Sequence, residues 1–370
     1  MTTARRVFLQ QTAAASLMAA LPAVRAQTSM ASATQRQFDP QPGAWRTFEV
    51  TTRVDIFKPQ GATQVWLPVP SVNSDWQRSQ ESSFTSNGTA RMTDDGEEGV
   101  KMIHAQFAPG LAAPFIEVTS RVQTRNRAAN WTQKIAAHDD ADTLKYWTRP
   151  TALVPTDGIV LKTAQDATRG ASTDEEKVRK LYDWVVSNTY REPKVRGCGE
   201  GDIKTMLETG NLGGKCADLN AIFVGLCRSL GIPARDVYGL RMVPSAFNYK
   251  ELSGNPASLK GAQHCRSEVF LKARGWVAMD PADVAKVMRQ ETPEWIKSTS
   301  NPVVAPVNKA LFGGWEGNWV AWNTGADVAL PGSRGAKLGF FMYPAAENSA
   351  GRFDSYAPDD FKFQITAKEV

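Results

Sequence analysis

The stretch Gly213–Arg241, GGKCADLNAIFVGLCRSLGIPARDVYGLR, decides how the rest of the chain is read. Two glycines allow a tight turn, and Cys216 then opens a helix. Leu219, Ile222, Phe223, Leu226 and Leu230 recur at helical spacing and form one apolar face. Gly231 and Pro233 end the helix in the order helix ends favour. Cys216 stands three residues before Leu219, so it shares the buried face while sitting in the first turn. There the unpaired backbone N–H groups and the positive end of the helix dipole favour a thiolate over a thiol. A thiol so placed is positioned to be a nucleophile; a small buried core residue is the other role a cysteine commonly takes. Cys227, mid-helix with Arg228 behind it and no glycine turn before it, reads as structural.

A cysteine nucleophile needs a base, and the base needs a group to orient it. The chain holds three histidines. His104 and His138 have no nearby partner of the right type. His264 lies at the head of a segment in which Val269, Phe270 and Leu271 favour a strand. Lys272 to Gly275 is a turn, and Trp276 to Met279 is the return strand, ending at Asp280-Pro281. An odd-length loop centred on Ala273 puts Asp280 opposite Arg266 and diagonal to His264 on one sheet face, about 7–8 Å away between backbones. Two side chains can close that gap. An even-length loop would send Asp280 to the other face and leave Asp283 as the fallback. Taken singly, His264 reads as a satisfied core residue and Asp280 as a strand terminator. The succession of helix-start Cys, strand His and next-strand Asp is what points to chemistry.

Around this segment the pattern divides the chain. Phe48, Val50, Val54 and Ile56 alternate with polar residues, as do Ile116, Val118 and Val122, and Val65-Trp66-Leu67 precedes Pro68; these read as strands. Turn clusters such as Ser86-Asn87-Gly88 and Asp94-Asp95-Gly96 separate them, so residues 27–156 are expected to form an N-terminal antiparallel β domain. From residue 157 the period changes. Thr173 with Glu176 is a capping box ahead of a helix carrying Val178, Leu181, Tyr182, Val185 and Val186, and Asp202 caps a short helix. Residues 157–290 form the core, and 291–370 are a linker and a C-terminal β segment whose strands either extend the core sheet or form a third layer.

Residues Ala4–Ala26, ARRVFLQQTAAASLMAALPAVRA, join two arginines to a weakly apolar run and end in small residues suited to a signal peptidase. This is similar to a twin-arginine export signal (residues 1–26), with Ala4 and Gln10 departing from the usual pattern. It implies a periplasmic protein cleaved near Ala26, with no stable membrane span afterwards, because the run is too short and polar to cross a bilayer. Cleavage removes Arg5, Arg6 and Arg25 and takes Lys plus Arg from 43 to 40 against 38 acidic residues, a formal charge of +2. That balance gives no support for nucleic-acid binding. An oxidising compartment would let Cys198, Cys216, Cys227 and Cys265 form disulfides, although a substrate folded before export can keep its thiols. No C-x-x-C pair occurs, and Cys198, Cys216, His264 and Cys265 lack the usual zinc-ligand spacing. No metal and no cofactor is expected.

GGKCADLNAIFVGLCRSLGIPAR, followed by HCRSEVFL and then GWVAMDPAD, resembles the bacterial transglutaminase-like superfamily, a branch of the papain-like cysteine enzymes. The resemblance covers roughly residues 160–290. It implies an α+β fold in which the cysteine helix packs on an antiparallel sheet, flanked by β-rich N- and C-terminal regions. It carries Cys216 over as nucleophile, His264 as base and Asp280 as its orienting partner. Many members place an aromatic residue where Arg266 stands. Arg266, on the His264 face, could disfavour the imidazolium, bind a substrate carboxylate or pair with Glu268. Arg196, Arg235, Arg241 and Arg266 could favour acidic substrates. The expected function is exported, cysteine-dependent acyl transfer at amide bonds of a peptide or protein, peptidoglycan stem peptides among them, with water or an amine as acceptor. The alternative is a non-catalytic periplasmic scaffold or peptide-binding protein that keeps the fold.

Overall fold

The computed structural model describes residues 36–357 and 361–370. The export segment, its cleavage point and the first part of the linker after it lie outside the described residues. Antiparallel pairing carries most of the architecture. Arg46–Ile56 turns Phe48, Val50, Val54 and Ile56 inward at every second position. It pairs with Phe115–Thr124 on one side and Phe361–Glu369 on the other, and Gln77–Ser86 completes a four-stranded sheet. A second sheet runs through Gly351–Arg352, Ala345–Asn348, Thr63–Pro68, Lys101–Phe107 and Thr89–Asp94. Gln77–Ser86 and Thr89–Asp94 are mostly solvent-facing, so no apolar period marks them in the sequence. His104 does find a partner here: its Nε2 lies 2.9 Å from Gln64 Oε1 and its ring stacks on Trp66.

The core sheet has the order Trp319–Asn323, Ala234–Arg241, Gln263–Leu271, Gly275–Met279, Phe312–Trp315, Arg127–Ala128. The terminal segment therefore divides its strands: Phe312–Trp315 and Trp319–Asn323 join the core sheet, while Ala345–Asn348 and Phe361–Glu369 join the two sheets built from the N-terminal region. The hairpin register is the odd one. Leu271 faces Gly275 and Ser267 faces Met279, which centres the turn on Ala273 and sets Asp280 level with Arg266. Gly275 takes φ +79°, a left-handed conformation that tight turns reserve for glycine.

The helix Cys216–Ser229 lies against Gln263–Leu271 and joins two cores. Ile222, Phe223 and Leu226 pack with Val178, Leu181, Tyr182 and Val185 of the helix Asp174–Asn188. Cys216, Ala217 and Leu219 pack instead with Tyr238, Leu240, Cys265, Phe48 and Val50. The expectation of a single apolar face is corrected: every residue from Cys216 to Arg228 is buried. The polar residues Asn220 and Arg228 are answered internally, as buried polar groups must be. Arg228 Nε donates to the Ala234 carbonyl at 2.7 Å, and Asn220 Nδ2 to the Cys265 carbonyl at 2.8 Å. Thr173 and Glu176 form the capping box, and Asp202 caps Ile203–Thr209. No helix among the described residues is long and apolar enough to cross a membrane.

Candidate active site

The first turn of the cysteine helix is fixed by Asp218. Its carboxylate accepts the backbone N–H groups of Lys215 at 2.8 Å, Glu200 at 3.0 Å and Gly201 at 2.9 Å. It sits so close to Gly199 and Gly214 that a Cβ on either would collide with it, and Gly199 also has φ +90°. The loop around Gly199 is thereby tied to the helix start, and the Ala217 N–H donates to the Cys198 carbonyl at 2.9 Å. Cys198 is brought beside Cys216 as a result.

The strand Gln263–Leu271 delivers the histidine. His264 Nε2 lies 2.8 Å from Asp280 Oδ2 and 3.3 Å from Asp283 Oδ2. Asp280 also caps the helix Pro281–Gln290, its Oδ1 accepting the Asp283 N–H at 3.1 Å. Asn220, one turn along the helix from Cys216, donates to the same Oδ1 at 3.3 Å. Asp283 is paired with buried Arg241. Trp319 Nε1 donates to the His264 carbonyl at 2.9 Å and holds the strand in place. Cys216, Cys198 and His264 line one cavity, and Cys198, Cys265 and His264 are the neighbours that shift the Cys216 thiol. With Nε2 on the carboxylates, Nδ1 is the ring nitrogen left for the thiol.

These contacts set the protonation states. Hydrogen bonding from Cys198, then from Cys265, and the contact and charge of His264 hold the Cys216 thiol well below its ordinary value, against the penalty of burial. Burial and the charge of Arg241 push His264 down, but Asp283 and Asp280 outweigh them and raise it to about 9. Burial raises Asp280, helped by the charge of Asp283; Arg241, set against burial, holds Asp283 well below the usual carboxylate range. Both shifts, Cys216 down and His264 up, favour a thiolate beside an imidazolium. Cys227 shows the contrast, since burial pushes its thiol up.

Cys216 and His264 open onto a cavity of about 410 Å³, shared with Cys198, Gln263, Tyr343, Tyr356 and Phe363. All four cysteines are free thiols. The donor atoms of His264, Asp280 and Asp283 lie within 4.8 Å of one another, close enough to share an ion. Arg241 and Arg266 already supply positive charge to these carboxylates. Arg266 does not line the cavity. It is buried between Trp315 and Trp319, donates to the Glu316 carbonyl at 2.9 Å and lies 3.5 Å from Asp280 Oδ2. Enclosed on every side, it cannot meet a substrate carboxylate as the sequence reading allowed, and Glu268 pairs with Arg127 and Arg235 instead.

Sequence reasoning passed over Asn220 and Gln263. Asn220 carries a readable signal, a polar residue four positions after a helix-start cysteine and on the same face. Gln263, immediately before the histidine, carries none.

Residues 161–281 match the model of the transglutaminase-like superfamily. A Haemophilus influenzae protein of uncharacterized function is 33% identical over 344 residues, covering 87% of this chain and 91% of its own. The crystal structure of a candidate cysteine protease from Cytophaga hutchinsonii is similar in fold, with TM-score 0.53 and 14% identity over 89% of this chain and 92% of that one. The periplasmic domain of TgpA from Pseudomonas aeruginosa aligns more loosely, with TM-score 0.36 and 18% identity over 71% of this chain and 80% of that domain. The chain belongs to the transglutaminase-like superfamily.

Proposed function

We propose that this protein is an exported cysteine acyl-transfer enzyme acting on amide bonds, with Cys216 as nucleophile, His264 as acid and base, and Asp280 as the residue that orients His264. One observation carries the reading. A single imidazole, held by a buried carboxylate pair, lines the same cavity as a sulfur that sits at a helix N-terminus. The thiolate attacks the amide carbonyl, forming an S–C bond. The C–N bond then breaks as His264 protonates the departing nitrogen. Water or an amine gives up a proton to the now neutral imidazole and attacks the thioester, releasing Cys216 as thiolate. The Cys216 N–H, in the first turn where no intrahelical acceptor exists, is one donor to the tetrahedral oxyanion. Asp283 with Arg241 braces the carboxylate end, and Arg266 positions Asp280.

The test is turnover of amide-bearing peptides by the protein lacking residues 1–26, together with the rate at which iodoacetamide labels Cys216. The reading expects turnover that vanishes in Cys216→Ala and labelling faster than in the urea-unfolded chain. A peptide that binds but is never cleaved or transferred, with Cys216 labelled no faster than in the unfolded chain, would instead support the peptide-binding scaffold.

A further inference from the structure

The wall of the Cys216 cavity is one-sided in charge. Arg191, Lys215, Arg241, Lys260 and Lys286 line it, and no Asp or Glu among the described residues does. Two of the five are answered from behind. Arg241 pairs with Asp283, and Lys286 Nζ lies 2.6 Å from the Glu251 carbonyl and 3.4 Å from its carboxylate. The other three form no ion pair among the described residues. Arg191 Nε donates to the neutral Gln290 side chain at 3.0 Å, Lys260 Nζ lies 5.6 Å from the Phe363 ring centre, and Lys215 precedes the nucleophile itself. Burial and then the charge of Arg191 lower the Lys215 pKa, against the opposing charges of Cys198, Cys216 and Asp218.

A second observation points the same way. Two buried side-chain atoms of this wall have no hydrogen-bond partner, Arg241 Nε and Gln263 Nε2, and both are donors. Gln263 spends its oxygen on the Gly261 N–H at 2.9 Å, which leaves only its amide hydrogens to offer. Three cations without ion pairs among the described residues, and two unpaired donors, describe a wall that favours negative charge beyond the Cys216 thiolate. A neutral or cationic substrate would leave these groups desolvated and unanswered.

We infer that the acyl substrate of Cys216 is anionic, carrying at least one free carboxylate close to the scissile amide, as an acidic peptide does. The inference rests on the acyl-transfer reading of Cys216 and names its substrate class. In that class the cations bind the flanking carboxylates, while Tyr343, Tyr356 and Phe363 cover the apolar part of the peptide.

The probes are iodoacetate and iodoacetamide, reagents of nearly equal size that differ by one negative charge. Their rates at Cys216 are followed by peptide mass mapping, so that Cys198 is counted separately. The ratio of the two rates cancels changes in access and in thiolate fraction, which affect both reagents alike. In the folded protein the iodoacetate-to-iodoacetamide ratio should exceed that of the urea-unfolded chain by about tenfold. It should fall toward the unfolded value in Lys260→Gln and Arg191→Gln, further in the double variant, and return in Lys260→Arg. Lys260 is exposed, so its replacement does not threaten folding, and a melting curve checks each variant. A ratio equal to that of the unfolded chain, with both reagents fast, overturns the charge inference alone. A high ratio unmoved by the variants overturns it too, because the field would then come from His264. Slow labelling by both reagents removes the acyl-transfer reading and this inference with it.

Discussion

Two buried ion networks share the strand Gln263–Leu271, and they have opposite characters. At one end His264 joins Asp280, Asp283, Arg241 and Arg266. Four residues on, Glu268 is held between Arg127 and Arg235 beneath a second cavity of about 610 Å³. Both lie deep, both border a cavity, and both displace carboxylate ionisation: Arg235 and Arg127 overcome burial and lower Glu268. Only the first contains an imidazole, and only the first shares its cavity with the thiol proposed as nucleophile. Burial and perturbed charge alone therefore do not distinguish a reactive site from a structural clasp. The distinguishing feature is what the charges are arranged around.

The sharpest way to separate the two ends is mutation. Cys216→Ala should lower turnover by more than about 10³-fold while leaving the melting temperature close to the parent's, because it removes the proposed nucleophile and little volume. Asp280→Asn should lower kcat by roughly 10²-fold or more with little change in KM. Asn still caps a helix well, so thermal melting should show the fold retained. Glu268→Gln should behave in the reverse manner. It leaves two arginines facing a neutral amide and should cost about 3 kcal/mol of stability in urea unfolding, with kcat per folded molecule within about twofold. Equal catalytic losses in Asp280→Asn and Glu268→Gln would erase the contrast.

The smallest effect is in pH. With its thiol held below the ordinary value, Cys216 should be labelled by iodoacetamide at a rate that depends less on pH than that of an ordinary thiol. His264→Ala should make the rate climb more steeply with pH, because it removes one of the groups that hold the Cys216 thiol down. Turnover should decline as pH rises through about 9, where His264 gives up the proton the leaving group needs. It should also fall as pH drops through the Cys216 value, where the thiolate is protonated. A turnover profile that still rises above pH 9 would mean the imidazolium is not required.

Much of this site was legible because it rests on local rules. The helix start at Cys216 follows from glycine and dipole chemistry, and the pairing of His264 with Asp280 follows from the parity of a turn. The strands Arg46–Ile56, Thr63–Pro68 and Phe115–Thr124 were legible from their apolar residues, alternating in the first and last and run together ahead of Pro68 in the second. What escaped depends on tertiary partners. Arg266 sits two residues from the histidine and on its face, which suggested a substrate contact. Only the fold reveals that Trp315 and Trp319 enclose it. The central position of the cysteine helix was hidden because Asp218, Asn220 and Arg228 look like a solvated face until their internal acceptors and donors are known. The cationic cavity wall is assembled from residues between 191 and 286, a spacing no sequence pattern marks.

The strand Phe361–Glu369 gives the molecule an order of assembly. Phe363 closes one side of the cavity, and the Ile365 carbonyl and the Ala367 N–H tether the Leu259–Pro256 loop at 2.8 and 2.9 Å. A ribosome releases Cys216, His264 and Asp280 well before it releases this strand. The nascent polypeptide thus carries these three residues early but lacks the cavity wall that Phe363 supplies. Completion of the cleft therefore waits on a strand that is made after all three of these residues.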